Sequence, residues 1–430
     1  MENKKIKLIL IGAGQRGQAY TDAAARMPER FEVVAVAEPV EAQRAYVQKK
    51  HNIPDERAFP SWEPLLTAPK MADAALICTM DRAHTAPALA AMEKGYDLLL
   101  EKPAAPTPDE CLRLESAAAA HGVRVLVCHV LRYTPFFRTL RRLIDEGAVG
   151  RVISIQHRED VSPGHYSHAF VRGNWGNTAR STPMILQKSC HDMDILQWLL
   201  GRRCTEVQSF GSLSYFRPEN APDGAPERCL DGCPHAGECP YDARRLYLNN
   251  KTSWLRPYAA QKPNPIDEEV EAALRTTQYG RCVFRCDNDV VDHQVVNLLF
   301  DDGATVTFSM CGFTRGGRYL HIMGTRGVLD GHFGDASVTL TDFASGKTRE
   351  IPVSDARSDD TIAGGHGGGD EGIMAAFHDL LCGVPNVSLC DFSTSVDNHM
   401  IAFAAEESRL SGRVISLSEY KSRIRAQNAV

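Results

Sequence analysis

The chain has 430 residues, 43% of them hydrophobic and 24% charged, with a formal net charge of −6 at pH 7. That length suits about two domains with room for a full core, and the acidic balance speaks against nucleic acid or an anionic membrane surface as a partner. No stretch of ~18 apolar residues offers a bilayer span, so no membrane association is expected.

In chain order, Ile6–Ile11 reads as a short apolar strand, followed by Gly12-Ala13-Gly14-Gln15-Arg16-Gly17 and a polar, Ala-rich stretch suited to a helix. In such a turn Gly12 permits the tight bend, Gly14 lets backbone approach a pyrophosphate at the helix N-terminus, and Gly17 permits close helix–strand packing. Gln15 and Arg16 lie within the same cofactor turn. A second strand, Phe31–Ala37, ends at Glu38, where a carboxylate would hold ribose hydroxyls and disfavour a 2′-phosphate. NAD is therefore expected ahead of NADP, with Arg16 or Arg44 the group that would serve a phosphate instead.

Alternation continues with a helix at Glu41–Lys50, a strand at Ala74–Thr79, a helix at Thr85–Lys94 closed by Gly95, and a strand at Tyr96–Glu101. Thr107 and Pro108 start a helix that Gly122 ends, and Val123–Cys128 is a further strand. Such a run predicts a doubly wound parallel sheet over residues 1–130. Thr79 and His84, at the end of one strand, and Glu101, at the end of another, join the residues expected around the cofactor. Beyond a helix at Pro135–Glu146 the pattern turns to β-rich runs at Arg151–His157, Glu206–Phe216, Val290–Phe300, Thr305–Met310 and Tyr319–Met323. These predict a second domain, 131–430, on an antiparallel or mixed sheet, with helices near Glu371–Leu381 and Ser395–Ser408 packed on it. Residues 217–267, rich in Pro, Asn, Asp and Cys, read as an insertion or lid, helical at Tyr241–Asn249.

Two places carry chemistry. Lys102 follows an apolar strand, where a nearby cofactor would lower its pKa, with Glu101 beside it. The second is Gln187-Lys188-Ser189-Cys190-His191-Asp192-Met193-Asp194, running into a helix marked by Ile195, Trp198 and Leu199. A neutral His191 is a natural base for a secondary alcohol as hydride leaves, with Asp192 or Asp194 fixing its tautomer or capping the helix. Lys188, Arg132, Tyr133, Trp175 and His366 add donors and aromatic faces suited to a polyhydroxylated ring.

Residues 6–103, with Glu101-Lys102-Pro103, resemble the Gfo/Idh/MocA oxidoreductases. The resemblance runs on through Leu131-Arg132-Tyr133-Thr134-Pro135, Asp145-Glu146-Gly147-Ala148-Val149-Gly150, His191 with Asp194, and Ser395, Val396 and His399. It implies an N-terminal Rossmann domain, a C-terminal α/β domain with a large open sheet, and NAD(P)-linked oxidation of a sugar or cyclitol hydroxyl by Lys102 and His191. It leads to an expected homodimer or homotetramer joined through the C-terminal sheet. One departure stands out: the common pattern has Asp four residues before the histidine and Gly two before it, where this chain has Gln187 and Ser189.

The string Gly364-Gly365-His366-Gly367-Gly368-Gly369-Asp370 looks like that of the NAD-using glycosidase branch, so a redox-assisted glycosidase that recycles a held NAD is the alternative reading. Cys229, Cys233 and Cys239 are spaced for soft ligands and raise a structural zinc, with Cys282 or Cys286 as a fourth ligand. The other thiols, in a total of 13 cysteines, read as reduced. With an N-terminus that lacks a signal-peptide pattern, they lead to an expected cytoplasmic location.

Overall fold

The computed structural model describes residues 4–262, 264–354 and 365–428. Six parallel strands form the first sheet: β1 (Ile6–Ile11), β2 (Phe31–Ala37), β3 (Ala58–Phe59), β4 (Ala74–Ile77), β5 (Asp97–Leu100) and β6 (Val125–Val127). Their order is β3-β2-β1-β4-β5-β6, the doubly wound arrangement that leaves a binding crevice at the carboxyl ends of the strands. Period-two alternation divides the two faces. Ile9 and Ile11 enter one core cluster, and Leu8 and Leu10 the other, so β1 is apolar on both sides as a central parallel strand requires.

Local signals set the helix ends. Thr107 Oγ1 accepts from Glu110 N–H, Pro108 opens the helix Pro108–His121, and Gly122 closes it at φ 63°. Among the described residues no helix is long and apolar enough to cross a membrane.

The second sheet has nine strands: β7 (Val152–Asp160), β8 (Cys204–Ser212), β9 (His293–Phe300), β10 (Thr305–Cys311), β11 (Gly317–Gly324), β12 (Gly327–His332), β13 (Ser337–Asp342), β14 (Thr348–Pro352) and β15 (Ile415–Ser416). The order is β14-β13-β12-β11-β7-β10-β9-β8-β15. Only the β7–β10 pair is parallel, so the expected mainly antiparallel sheet is present. Alternation along β7 buries Ile155, His157 and Glu159 on one face, and this face carries polar groups toward the site.

The two halves are not separate in packing. The helix Gly369–Cys382 comes late in the chain, yet Ile373, Met374 and Phe377 join Leu8, Tyr20 and Phe31 in one core cluster. Between β8 and β9 the chain makes a long excursion with its own small core of Tyr247, Leu255, Val270 and Leu274. The expected helix at Tyr241–Asn249 is a single wide turn at Arg244–Asn249; the regular helices there are Leu255–Ala260 and Asp267–Thr276. Arg172, 2% exposed, ties the excursion down by donating to the carbonyls of Arg281 (2.8 Å) and Tyr241 (2.7 Å).

Candidate functional site

The carboxyl ends of β1, β2, β4 and β5 bring the glycine turn, Glu38, Thr79 and Glu101-Lys102 to one edge. Gly12 has φ 93°, and a Cβ there would stand 2.5 Å from the Cys78 carbonyl; a Cβ on Gly17 would stand 2.1 Å from the Gly12 carbonyl. At Gly14 a Cβ would meet nothing within 4 Å. The turn is thus closed against protein on two sides and open at Gly14, where the first N–H groups of the helix Gln15–Ala25 lack helical partners. This cradle fits a pyrophosphate. Glu38 is buried and its carboxylate accepts from Ala13 N–H (2.7 Å) and Val40 N–H (2.8 Å).

Arg16 is turned away from the cradle. Its Nε donates to Glu101 (2.8 Å), its two terminal nitrogens form a bidentate pair with Asp370 (2.9 and 2.8 Å), and the remaining donors face His366 Nδ1 (3.2 Å) and Tyr20 Oη (2.5 Å). Four of the five guanidinium donors are taken by Glu101, Asp370 and Tyr20, and the fifth faces His366, so Arg16 is committed to protein partners rather than turned to the cofactor cradle where the sequence reading put it. Glu101 is likewise filled, by Arg16, by Tyr20 Oη (2.7 Å) and by the backbone N–H of Lys102 (2.8 Å). It fixes the path of the chain at Lys102 rather than the Lys102 amine. This ion-pair cluster joins the start of the first half to the helix Gly369–Cys382. Asp370→Ala would leave Arg16 with Glu101 as its remaining carboxylate partner and its terminal nitrogens short of acceptors, a loss of about 1–3 kcal/mol. Urea unfolding should show it as a lower midpoint at constant slope, and unchanged stability would remove the structural role.

Lys102 is half-buried, and its Nζ donates to the Gln187 carbonyl at 2.7 Å. A backbone carbonyl therefore holds the amine at the position where the family pattern has a carboxylate. His191, 8% exposed, lies one turn on in the helix Cys190–Leu200. Its Nδ1 is sealed in the interior without a hydrogen-bond partner, which leaves Nε2 as the nitrogen open to the pocket. Burial first, and then neighbouring cations led by Lys102, hold its pKa well below the ordinary value of 6.5. His191 is therefore neutral near pH 7.

Behind it stands a charge network that sequence reading missed. Asp192 takes His157 Nε2 (2.7 Å) and Arg318 Nε (2.9 Å); Glu159 meets Arg318 (2.5 Å) and Lys188 Nζ (3.1 Å). Burial would raise the Asp192 pKa, but Arg318 and His157 pull it down to about 2. The signal lay in the alternation of β7, which puts His157 and Glu159 on the buried face, but only pairing with β11 supplies Arg318.

Several expected contacts fall elsewhere. Arg132 and Asp194 close on each other (2.6 and 2.7 Å), at 3% and 0% exposure. They stand behind the pocket wall, and neither Asp192 nor Asp194 touches His191. Tyr133 is packed in the core beneath Gly372, so it offers no face to a substrate. His84 has both ring nitrogens against carbonyls, of Pro103 (2.7 Å) and Thr79 (3.0 Å), and Thr79 Oγ1 bonds the Ala83 carbonyl (2.9 Å); both brace the loop after β4. Trp175 packs beside Phe170 with ring centroids 6.2 Å apart. Lys188 and His366 lie near His165, which the sequence reading did not single out: burial first, and then charges including those of Lys188, Arg318 and His366, hold its pKa well below the ordinary value. His366 sits at φ 48°; Gly364, first residue of its string, lies outside the described residues. Trp254 meets the His165 ring edge-on at 5.3 Å. Burial raises the Tyr258 phenol pKa while the nearby Arg16 charge lowers it. The excursion thus sets Trp254 against His165, with the Tyr258 ring 5.5 Å from that of Trp254.

The structure does not gather the three cysteines as a ligand set. Cys229, Cys233 and Cys239 line one small cavity of about 20 Å³ with Cys282 and His235. Among the described residues, however, only His129, Cys190 and His399 gather three ligand atoms within 4.8 Å. Two of that trio are poor ligands: His399 Nε2 accepts from Ala104 N–H (3.0 Å) and Nδ1 donates to the Ser395 carbonyl (2.7 Å), while burial pushes the Cys190 thiol up to about 12. The zinc expectation is withdrawn. A larger apolar groove of about 420 Å³, lined by Pro183, Leu186, Phe403 and Tyr420, holds none of the polar groups above.

Comparison with known proteins places this geometry. A profile described as an oxidoreductase family with an NAD-binding Rossmann fold matches residues 6–129, and the C-terminal alpha/beta domain of the same family matches 141–417. The chain is 26% identical over 312 residues to YteT of Bacillus subtilis (strain 168), named as an oxidoreductase, covering 69% of this chain and 70% of that one. It is 30% identical over 227 residues to inositol 2-dehydrogenase 4 of Saccharopolyspora erythraea, covering 52% of this chain and 62% of that enzyme, so it spans less than two thirds of the latter. A structure of levoglucosan dehydrogenase with NADH and levoglucosan superposes with TM-score 0.69 at 18% identity, covering 96% and 100% of the two chains. An oxidoreductase of Agrobacterium radiobacter in complex with NAD+, L-tartaric acid and magnesium gives 0.68 at 14%, over 97% and 100%. At these identities the structural likeness is one of fold.

Proposed function

The chain belongs to the Gfo/Idh/MocA oxidoreductase family, and on that premise we propose that it moves hydride between NAD and a ring hydroxyl of a sugar or cyclitol. The observation that carries the proposal is that Lys102, at the strand end beyond the glycine turn, is held on the Gln187 carbonyl four residues before the buried His191. When bound, the nicotinamide supplies the hydride acceptor. The protein's own groups handle the proton and the oxygen. His191 Nε2 takes the hydroxyl proton. Lys102 has three donors and spends one on the Gln187 carbonyl, leaving two for the oxygen that becomes a carbonyl. Lys188, His165 and His366 supply further polar contacts, and Trp254 and Tyr258 an apolar face, a mixture suited to a polyhydroxylated ring. Inositol and levoglucosan dehydrogenases among the similar proteins support that substrate class.

The experiment is NADH formation over cyclitols, aldoses, uronates, glycosides and short linear 2-hydroxy acids, with product analysis. Activity on a cyclic polyol and little on linear acids is expected; a preference for a linear acid would overturn the reading. Nothing in the comparisons supports the redox-assisted glycosidase, and Asp370 of its string is engaged with Arg16. We further propose that Glu38 holds the adenosine ribose. NAD should then bind more tightly than NADP, and Glu38→Ala should narrow the gap in a fluorescence titration; equal or better NADP affinity in the unmodified protein would refute the role. Assembly through the second sheet is proposed on its exposed face, where Phe210 and Val295 are register partners, 55% and 40% exposed.

A further inference from the structure

His191 lacks the carboxylate that the family pattern would place four residues before it, because that residue is Gln187. A base needs its second ring nitrogen held, or the tautomer with a bare Nε2 is not favoured. What lies behind His191 is another imidazole. His129 follows β6 and is 2% exposed; its ring meets His191 edge to face, with centroids 6.1 Å apart. On its other side it stacks on His399 at 5.4 Å, and His399 is fixed by the Ser395 carbonyl and the Ala104 N–H. His129 Nδ1 lies 3.0 Å from Asp194 Oδ1. Asp194 is itself anchored by Arg132 and by Asn398 Nδ2 (2.7 Å). His191 Nδ1 and both ring nitrogens of His129 are buried with no hydrogen-bond partner, the His129 Nδ1 contact with Asp194 being an ion-pair distance. Two orphaned nitrogens on adjoining buried rings are costly unless each serves the other, directly or across one shared water.

We propose that His129, steered by Asp194, is the positioning residue of His191, its Nε2 accepting the Nδ1–H of His191 and so leaving His191 Nε2 bare toward the substrate hydroxyl. This rests on His191 being the base of the proposed reaction. No second proton moves. When His191 takes the hydroxyl proton it becomes imidazolium, and its Nδ1–H bond to His129 strengthens as charge develops. Asp194 stays ionised, neutralised by Arg132. The arrangement stands in for the missing carboxylate and also explains why Arg132 and Asp194 lie behind the wall.

The test compares His129→Phe, which keeps a ring of similar size without an acceptor, with His129→Gln, which restores an acceptor oxygen. His129→Phe should lower kcat ~10–100-fold, the scale of losing an orienting partner, with KM and NAD affinity little changed, and His129→Gln should recover most of it. The charged or titratable groups around His191 are Lys102, His129, Arg318 and His366, with Lys188 and His399 on adjoining segments. If His129 accepts the Nδ1–H, removing it destabilises the imidazolium, and the acid limb of the kcat/KM profile moves to lower pH. If His129 were only a like-charged neighbour, the limb would move up, which would overturn the proposal, as would equal loss in both variants or no loss in either. A second readout needs no substrate. Imidazole ¹⁵N shifts of the NAD-bound wild-type protein should show His191 protonated at Nδ1 and bare at Nε2, with that preference lost in His129→Phe. The opposite tautomer in the wild type overturns the proposal. Absence of turnover on every sugar with the expected tautomer present would instead defeat the substrate reading alone.

Discussion

Replacing His191 with Ala is expected to depress turnover by at least ~100-fold, the usual scale for lost general-base help, while NAD affinity survives because the cradle at Gly14 is untouched. The pH dependence sharpens this. The base must be neutral to act, and burial with neighbouring cations holds its pKa well below 6.5. Activity should therefore persist as pH falls through 6.5, where a histidine of ordinary pKa would already be half protonated, and fail only further down. Stopped-flow rates across pH check both points. Near-normal turnover in His191→Ala, or an acid limb centred near 6.5, would take His191 out of the reaction.

Lys102→Met should be comparably severe. Methionine keeps the length and apolar stem of lysine but removes the donors. The oxygen of the reacting hydroxyl then loses its charged partner as it becomes a carbonyl, an effect of ~10²–10³ in kcat for a lost donor of this kind. The backbone around residue 102 should hold, since the Glu101 carboxylate grips its N–H and not its amine. The thermal midpoint should thus shift little, and NAD binding should persist. A variant that binds NAD and turns over normally would show that Lys102 is a surface amine and that another donor meets the oxygen.

The glycine turn, Glu38 and the Lys102 strand end were all legible one element at a time. The conformational demands on Gly12 and Gly17 are local, set by contacts with the adjoining strand and helix. The alternation of the first 130 residues announces a parallel sheet because both faces of each strand must be apolar. Strands β12, β13 and β14 were not anticipated, since short antiparallel strands with one solvated face leave weak alternation between turns. The excursion between β8 and β9 was recognisable as an insertion from its composition, but its helices Leu255–Ala260 and Asp267–Thr276 were not, and neither was the arrival of Trp254 against His165.

By itself the sequence determined the Rossmann half, the glycine turn and the two groups proposed to act on the hydroxyl, because each depends on residues that are neighbours along the chain or on a strict period. Only the tertiary structure decided which charged residues meet each other. Arg16 reads as a phosphate ligand until Asp370 folds back onto it. Arg132 and Asp194 read as substrate contacts until they close on one another. His129, just past the strand Val123–Cys128, carries no signal in sequence until His191, His399 and Asp194 surround it. A buried ionisable group takes whichever partner satisfies its charge and its hydrogen bonds, and those partners lie far off in sequence, 62 residues for Arg132 with Asp194 and 354 for Arg16 with Asp370, where no local pattern records them.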